Sequence, residues 1–140
     1  MSRIAVVYWS GTGNTQAMAE AVAQGAQAQG GDVSLFSCEQ FSPAAIESYD
    51  SLAFGCPAMG AEVLEEEEFQ PLWDACQEKL ASKKVALFGS YGWGDGEWMR
   101  SWEASCLSAG ITLTAESVIC HETPDEDGLA DCKALGASLV

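Results

Sequence analysis

The chain has 140 residues, 48% of them apolar, and sets twenty-one acidic side chains against six basic ones for a formal charge of −15 at pH 7. That length suits one domain with a core of its own, expected over residues 1–140. The charge sets nucleic acid and anionic membrane surfaces aside as partners. No stretch is apolar for long enough to cross a bilayer, and no charged-then-apolar leader marks export, so a cytoplasmic location is expected.

In chain order, the apolar run from Arg3 to Trp9 predicts a buried strand. It leads into Ser10-Gly11-Thr12-Gly13-Asn14-Thr15, and from Thr15 to Gln29 apolar residues recur at helical spacing until Gly30-Gly31 stops the helix. A strand is expected from Asp32 to Phe36, a short helix from Ser42 to Ile46, and a strand from Ser51 to Cys56. A helix from Glu66 to Leu80 follows, with Glu65-Glu66-Glu67-Glu68 read as a solvated start that suits the helix dipole. The remaining elements are a strand from Lys84 to Gly89, a helix from Glu97 to Ala109, a strand from Thr112 to Ile119 and a helix from Asp125 to Leu139. Trp73, Trp98 and Trp102 are expected to pack helices onto the sheet, and His121 to have a surface role.

Strands alternating with helices imply a doubly wound α/β fold, a five-stranded parallel sheet covered on both faces. Its ligand site is then expected outside the C-terminal ends of the strands, where the strand order reverses. The segments that follow the first, third and fourth strands are unusual. Ser10 to Thr15 is a hydroxyl- and glycine-rich turn at a helix start, able to gather N–H and O–H donors on one anion. It contains no Lys or Arg, which suits a bound monophosphate and not nucleotide hydrolysis. Pro57-Ala58-Met59-Gly60-Ala61-Glu62 and Ser90-Tyr91-Gly92-Trp93-Gly94-Asp95-Gly96 carry what a flat aromatic ligand needs. Met59 and Trp93 can flank a ring, Gly60 permits close backbone approach, and Glu62 can accept from a ring N–H.

Two chemistries fail at the residues that would do the work. A nucleotide-hydrolysing loop ends in Gly-Lys-Ser/Thr, and here Gly13-Asn14-Thr15 stands instead. A phosphoacceptor receiver domain needs acidic residues after the first strand and an aspartate after the third, places held by Ser10 and Cys56-Pro57. The six cysteines, Cys38, Cys56, Cys76, Cys106, Cys120 and Cys132, form no C-x-x-C, and with His121 as the sole histidine neither a zinc site nor a disulfide framework is expected.

The run from Val6 to Thr15, the loop Gly55-Cys56-Pro57-Ala58-Met59-Gly60 and the loop from Phe88 to Gly96 together resemble the short-chain flavodoxins, over essentially the whole chain. The resemblance implies strand order 2-1-3-4-5, a non-covalently bound FMN and one-electron transfer on the semiquinone/hydroquinone couple. Ser10, Gly11, Thr12, Gly13, Asn14 and Thr15 would then surround the phosphate. Pro57 and Ala58 belong to the loop that would carry the inner contact, with Met59 on the inner ring face, Trp93 on the outer one and Glu62 at the ring N3–H. Gly60 matches the position whose carbonyl, after a peptide flip, accepts from the semiquinone N5–H. Ser90, Tyr91, Gly92, Gly94 and Asp95 would meet the pyrimidine side and the ribityl chain. Two positions depart from the family pattern: Ala61 follows the flipping glycine where a polar residue is common, and Pro57 has no N–H. The implied partners are basic redox proteins, reductases and low-potential acceptors, docking at an acidic rim on a monomer. The rival reading on the same fold is an FMN-dependent reductase acting on a small substrate such as a quinone.

Overall fold

The computed structural model describes residues 2–60 and 62–140. Its elements are β1 (Arg3–Tyr8), α1 (Asn14–Ala28), β2 (Asp32–Ser37), β3 (Ser51–Gly55), α2 (Phe69–Gln77), β4 (Lys84–Tyr91), α3 (Glu97–Ser108), β5 (Thr112–Leu113), β6 (Val118–His121) and α4 (Glu126–Ala137). Two short 3-10 segments, Cys38–Gln40 and Pro43–Ser48, connect β2 to β3. Among the described residues these strands all pair in parallel, in the order β2-β1-β3-β4-β5, with β6 also beside β4. The chain leaves β1 for one edge and returns to its other side, so the order reverses between β1 and β3.

The expected fifth strand, Thr112 to Ile119, is divided. Leu113 pairs with Val85 and Val118 with Phe88, so β4 places only Ala86 and Leu87 between the two pairings while its neighbour must fit residues 114–117. The surplus bulges out of the ladder, and side chains hold it there. Thr114 Oγ1 lies 2.8 Å from Ser138 Oγ, and Ser117 donates to Glu103 at 2.7 Å. α2 is shorter than the expected Glu66 to Leu80, because its approach is tied into a capped turn (below) and its exit closes as a tight turn, Lys79 N–H to Cys76 C=O at 2.9 Å.

Side chains alternate across the sheet, as a strand's period of two demands. Ala5 and Val7 face α2 and α3, together with Phe54, Phe69, Trp73, Trp98 and Trp102. Ile4 and Val6 face α1 and α4, together with Met18, Val22, Leu135 and Leu139. Trp73, Trp98 and Trp102 are buried as expected, and Trp73 meets both Phe54 and Trp102 edge to face at 5.1 and 5.4 Å. α1 and α4 cross on glycine: a Cβ on Gly25 would strike the Lys133 carbonyl, and one on Gly136 the Val22 carbonyl. All six cysteines are free and buried. Burial pushes the Cys38 and Cys76 thiols up to about 11 and the Cys106 thiol to about 12, which keeps these three in the thiol form at neutral pH. No helix among the described residues is long and apolar enough to cross a membrane.

Candidate functional site

The turn after β1 is shaped by one glycine and one hydroxyl. Gly13 takes φ +95°, a left-handed conformation that lets the chain enter α1. Ser10 Oγ accepts from the Gly13 N–H at 3.0 Å and the Gln16 N–H at 3.3 Å, folding the loop over the helix start. Gly11, Thr12 and Gly13 are left exposed at the positive end of α1. Thr15 is turned inward, only 1% exposed, with its hydroxyl 2.9 Å from that of Ser90. That buried contact joins the first loop to the end of β4.

The loop after β3 is tied to the same strand end, since Ala58 N–H donates to the Ser90 carbonyl at 3.0 Å. Met59 N–H donates to Val63 C=O at 2.9 Å and Glu62 N–H to Met59 C=O at 2.7 Å, closing a tight turn that leaves Gly60 exposed with open space around it. Ala61 lies outside the described residues. Glu62 holds φ +56°, uncommon for a residue with a side chain, and its carboxylate lies against Gly94 in the next loop. Its Oε1 is shut off from solvent and has no hydrogen-bond partner. A buried, unpartnered carboxylate oxygen costs free energy, and an N–H donor from a ligand removes that cost.

The loop after β4 is pinned at both ends. His121 Nε2 lies 3.1 Å from the Gly92 carbonyl, and the Tyr91 ring packs between His121 and Trp98 at 5.2 and 5.6 Å. Asp95 is tied to α3, accepting from Arg100 Nη2 at 2.9 Å while its carbonyl accepts from Nη1 at 3.0 Å. The hydrogen bond and charge of Asp95 raise the Arg100 guanidinium above its ordinary value. Trp93, between Gly92 and Gly94, is 64% exposed and stands on the rim.

These loops enclose a cavity of about 310 Å³ at the switch point, within the range of small-molecule sites. Of the expected site residues it is lined by Gly11, Thr12, Asn14, Pro57, Ala58, Met59, Ser90, Tyr91 and Gly92. Ser10, Gly13 and Thr15 shape the loop from behind, and Gly60, Glu62, Trp93, Gly94 and Asp95 do not line it. Two lining residues are absent from the expected set, Trp9 and Glu122. Trp9 is the last residue before the first loop, so its rim position was legible in the sequence. Glu122 follows β6 with φ +57°, its N–H bonded to the Tyr91 carbonyl at 2.7 Å. The rim rule points to it once the fifth strand's end is searched along with the others. A larger hollow of about 450 Å³ beside β6 and α4 includes none of these loop residues.

The run Glu65–Glu68 is not a uniformly solvated helix start. Glu65 is 6% exposed, and its carboxylate accepts from the N–H groups of Glu67, Glu68 and Phe69 at 2.9, 2.7 and 2.8 Å. Burial alone would raise this carboxyl, but the three N–H groups outweigh it and hold the group below its ordinary value. The Glu65 N–H donates to the buried Cys56 thiol at 3.3 Å, fastening the turn to the end of β3. Glu66, Glu67 and Glu68 remain exposed.

A family model described as Flavodoxin matches residues 6–136. The chain is 44% identical to a flavodoxin of Clostridium beijerinckii over 96% of its own length and 97% of that protein. It is 42% identical to a flavodoxin of Megasphaera elsdenii over 98% of each chain. The solution structure of the two-electron reduced Megasphaera elsdenii protein superposes with a TM-score of 0.89 over 97% of both chains.

Proposed function

This chain belongs to the flavodoxin family, and from that membership we propose that residues 1–140 act as one FMN-binding domain and serve as a low-potential one-electron carrier between redox proteins. It is an electron-transfer protein and not an enzyme. The observation that carries the siting of the cofactor is the convergence of the loops after β1, β3 and β4 on one cavity at the switch point. The donor set fits the group. The exposed backbone of Gly11 and Thr12 and the Thr12 hydroxyl at the start of α1 suit a phosphate dianion, and the unpartnered Glu62 Oε1 suits the flavin N3–H.

When bound, FMN supplies reversible one-electron chemistry, and the protein supplies orientation and electrostatics. Met59 and Trp93 would cover the two ring faces and exclude water. Gly60 would offer its carbonyl to the flavin N5–H, unobstructed by a side chain. Thr15, joined to Ser90, holds the phosphate and ring loops at a constant separation. The carboxylates of Glu62 and Glu122 would disfavour added negative charge on a flavin held here, which suits a low potential.

Stepwise anaerobic reduction with dithionite, followed by absorption, tests this reading. The expected result is a yellow protein that develops a long-wavelength band at half reduction and then bleaches. A colourless protein that takes up no added FMN, or turnover of a quinone by nicotinamide cofactor without a reductase, would overturn it.

Docking partners are proposed to be basic redox proteins that meet a monomer at its acidic rim, where Trp93 and the carboxylates of Glu66, Glu67, Asp95 and Glu122 are exposed. Long-range attraction between a −15 chain and a cationic partner raises the encounter rate and is screened by salt. The second-order rate of reduction by a basic reductase is expected to fall at least tenfold as salt rises from about 10 to about 300 mM. A rate that stays flat over that range excludes electrostatic docking at this rim.

A further inference from the structure

Trp9 forms a wall between two hollows. One side faces the 310 Å³ cavity, and the other faces a space of about 250 Å³ lined by residues that include Ser10, Ser37, Glu39 and Glu68. Its backbone is fixed by a hydrogen bond from its N–H to the Gly55 carbonyl at 3.0 Å. The indole has a single polar attachment, Nε1–H to Glu68 Oε1 at 3.1 Å. The far edge of the same ring lies under the phosphate loop. A Cβ placed on Gly11 would sit 3.1 and 3.3 Å from two of its carbons, so the Gly11 backbone rests on the indole.

Glu68 is well placed to act as an anchor. Its own N–H is held by the buried Glu65 carboxylate at 2.7 Å, and its side chain makes no capping bond to α2. Glu39 stands beside it, with a carboxyl held above its ordinary value by a hydrogen bond to Glu68 and by the Glu68 charge. The hollow behind Trp9 leaves space for the ring, and among the described residues Glu68 is the only group its Nε1–H is bonded to.

We infer that Glu68 is a positioning residue for the phosphate loop, acting through the Trp9 indole on Gly11. The inference rests on the reading that this loop holds the FMN phosphate. It makes a prediction opposite in sign to simple electrostatics. Removing a carboxylate near a dianion should tighten binding by charge alone, whereas loss of the anchor should weaken it.

The test is titration of the full-length flavin-free protein with FMN and with riboflavin, for the parent chain, Glu68→Ala and Glu68→Gln, alongside the ¹⁵N-indole resonance of Trp9. Glu68→Ala is expected to weaken FMN binding by roughly threefold to tenfold, the worth of one hydrogen bond, while leaving riboflavin almost unchanged and moving the Trp9 resonance. Glu68→Gln keeps an acceptor oxygen without the charge, and should restore the resonance and bind FMN at least as tightly as the parent. FMN binding by Glu68→Ala that equals or exceeds the parent overturns the inference, as does equal weakening by Glu68→Gln. If the parent binds riboflavin as tightly as FMN, the phosphate-loop reading itself fails and the inference falls with it, even where the Trp9 resonance still reports the contact.

Discussion

Replacing Gly136 with alanine is expected to destabilise the protein by about 2–3 kcal/mol, measured as a lowered urea midpoint at unchanged slope. Helix propensity by itself predicts the reverse, since alanine in a helix interior is favoured over glycine by about 1 kcal/mol. The sign is decided by what the new methyl would meet. At Gly136 it meets the backbone carbonyl of Val22 and, at 2.9 Å, the backbone nitrogen of Ala26. Neither can rotate aside as a side chain could, so α1 and α4 must separate. Gly25→Ala meets the Lys133 backbone from the other side of the same crossing and should cost a similar amount. The double variant should cost less than the sum, because one separation relieves both collisions. Since α1 begins at the phosphate loop, its displacement should weaken FMN binding as well. A stability equal to or above the parent's would show that the crossing yields freely.

Glu65→Ala is expected to cost about 2–3 kcal/mol, through loss of a buried carboxylate that satisfies three backbone N–H groups at the entry to α2. Glu65→Gln retains one acceptor oxygen and should cost about half as much. The pH dependence follows from the direction of the shift. The folded carboxyl is held below its ordinary value, so its contribution is complete above the unfolded glutamate value of about 4.3 and is lost as pH falls through the folded value. In Glu65→Gln that contribution cannot titrate. Urea midpoints measured from pH 7 down to pH 3 should therefore converge for the parent and Glu65→Gln in the acid range. Parallel curves would falsify the assignment of the carboxylate as the charged cap.

Glu65 also illustrates where sequence reasoning stops. Four consecutive glutamates carry no mark that separates the first from the rest, and composition alone makes all of them solvated. What singles out Glu65 is its place one turn before α2 and next to Cys56 at the end of β3, a contact between residues 56 and 65 that local pattern does not encode. The fifth strand shows the same limit. Its residues alternate well enough for one strand, but the ladder on β4 has room for fewer residues than the chain supplies.

The alternation of strands and helices, their parallel arrangement and the sheet rim on which the candidate site lies were legible in the sequence alone. Apolar runs of strand length, helical spacing between them and the turn from Ser10 to Thr15 are local features, each enforced by backbone sterics and burial within a few residues. Tertiary structure alone decided which side chains face the cavity and which support it. Thr15 turned in to meet Ser90 across the sheet. Asp95 turned out to Arg100, while Trp9 and Glu122, each directly following a strand, joined the wall. Those outcomes depend on hydrogen bonds and contacts between loops far apart in the chain, and their partners are brought together only when β1, β3 and β4 lie side by side.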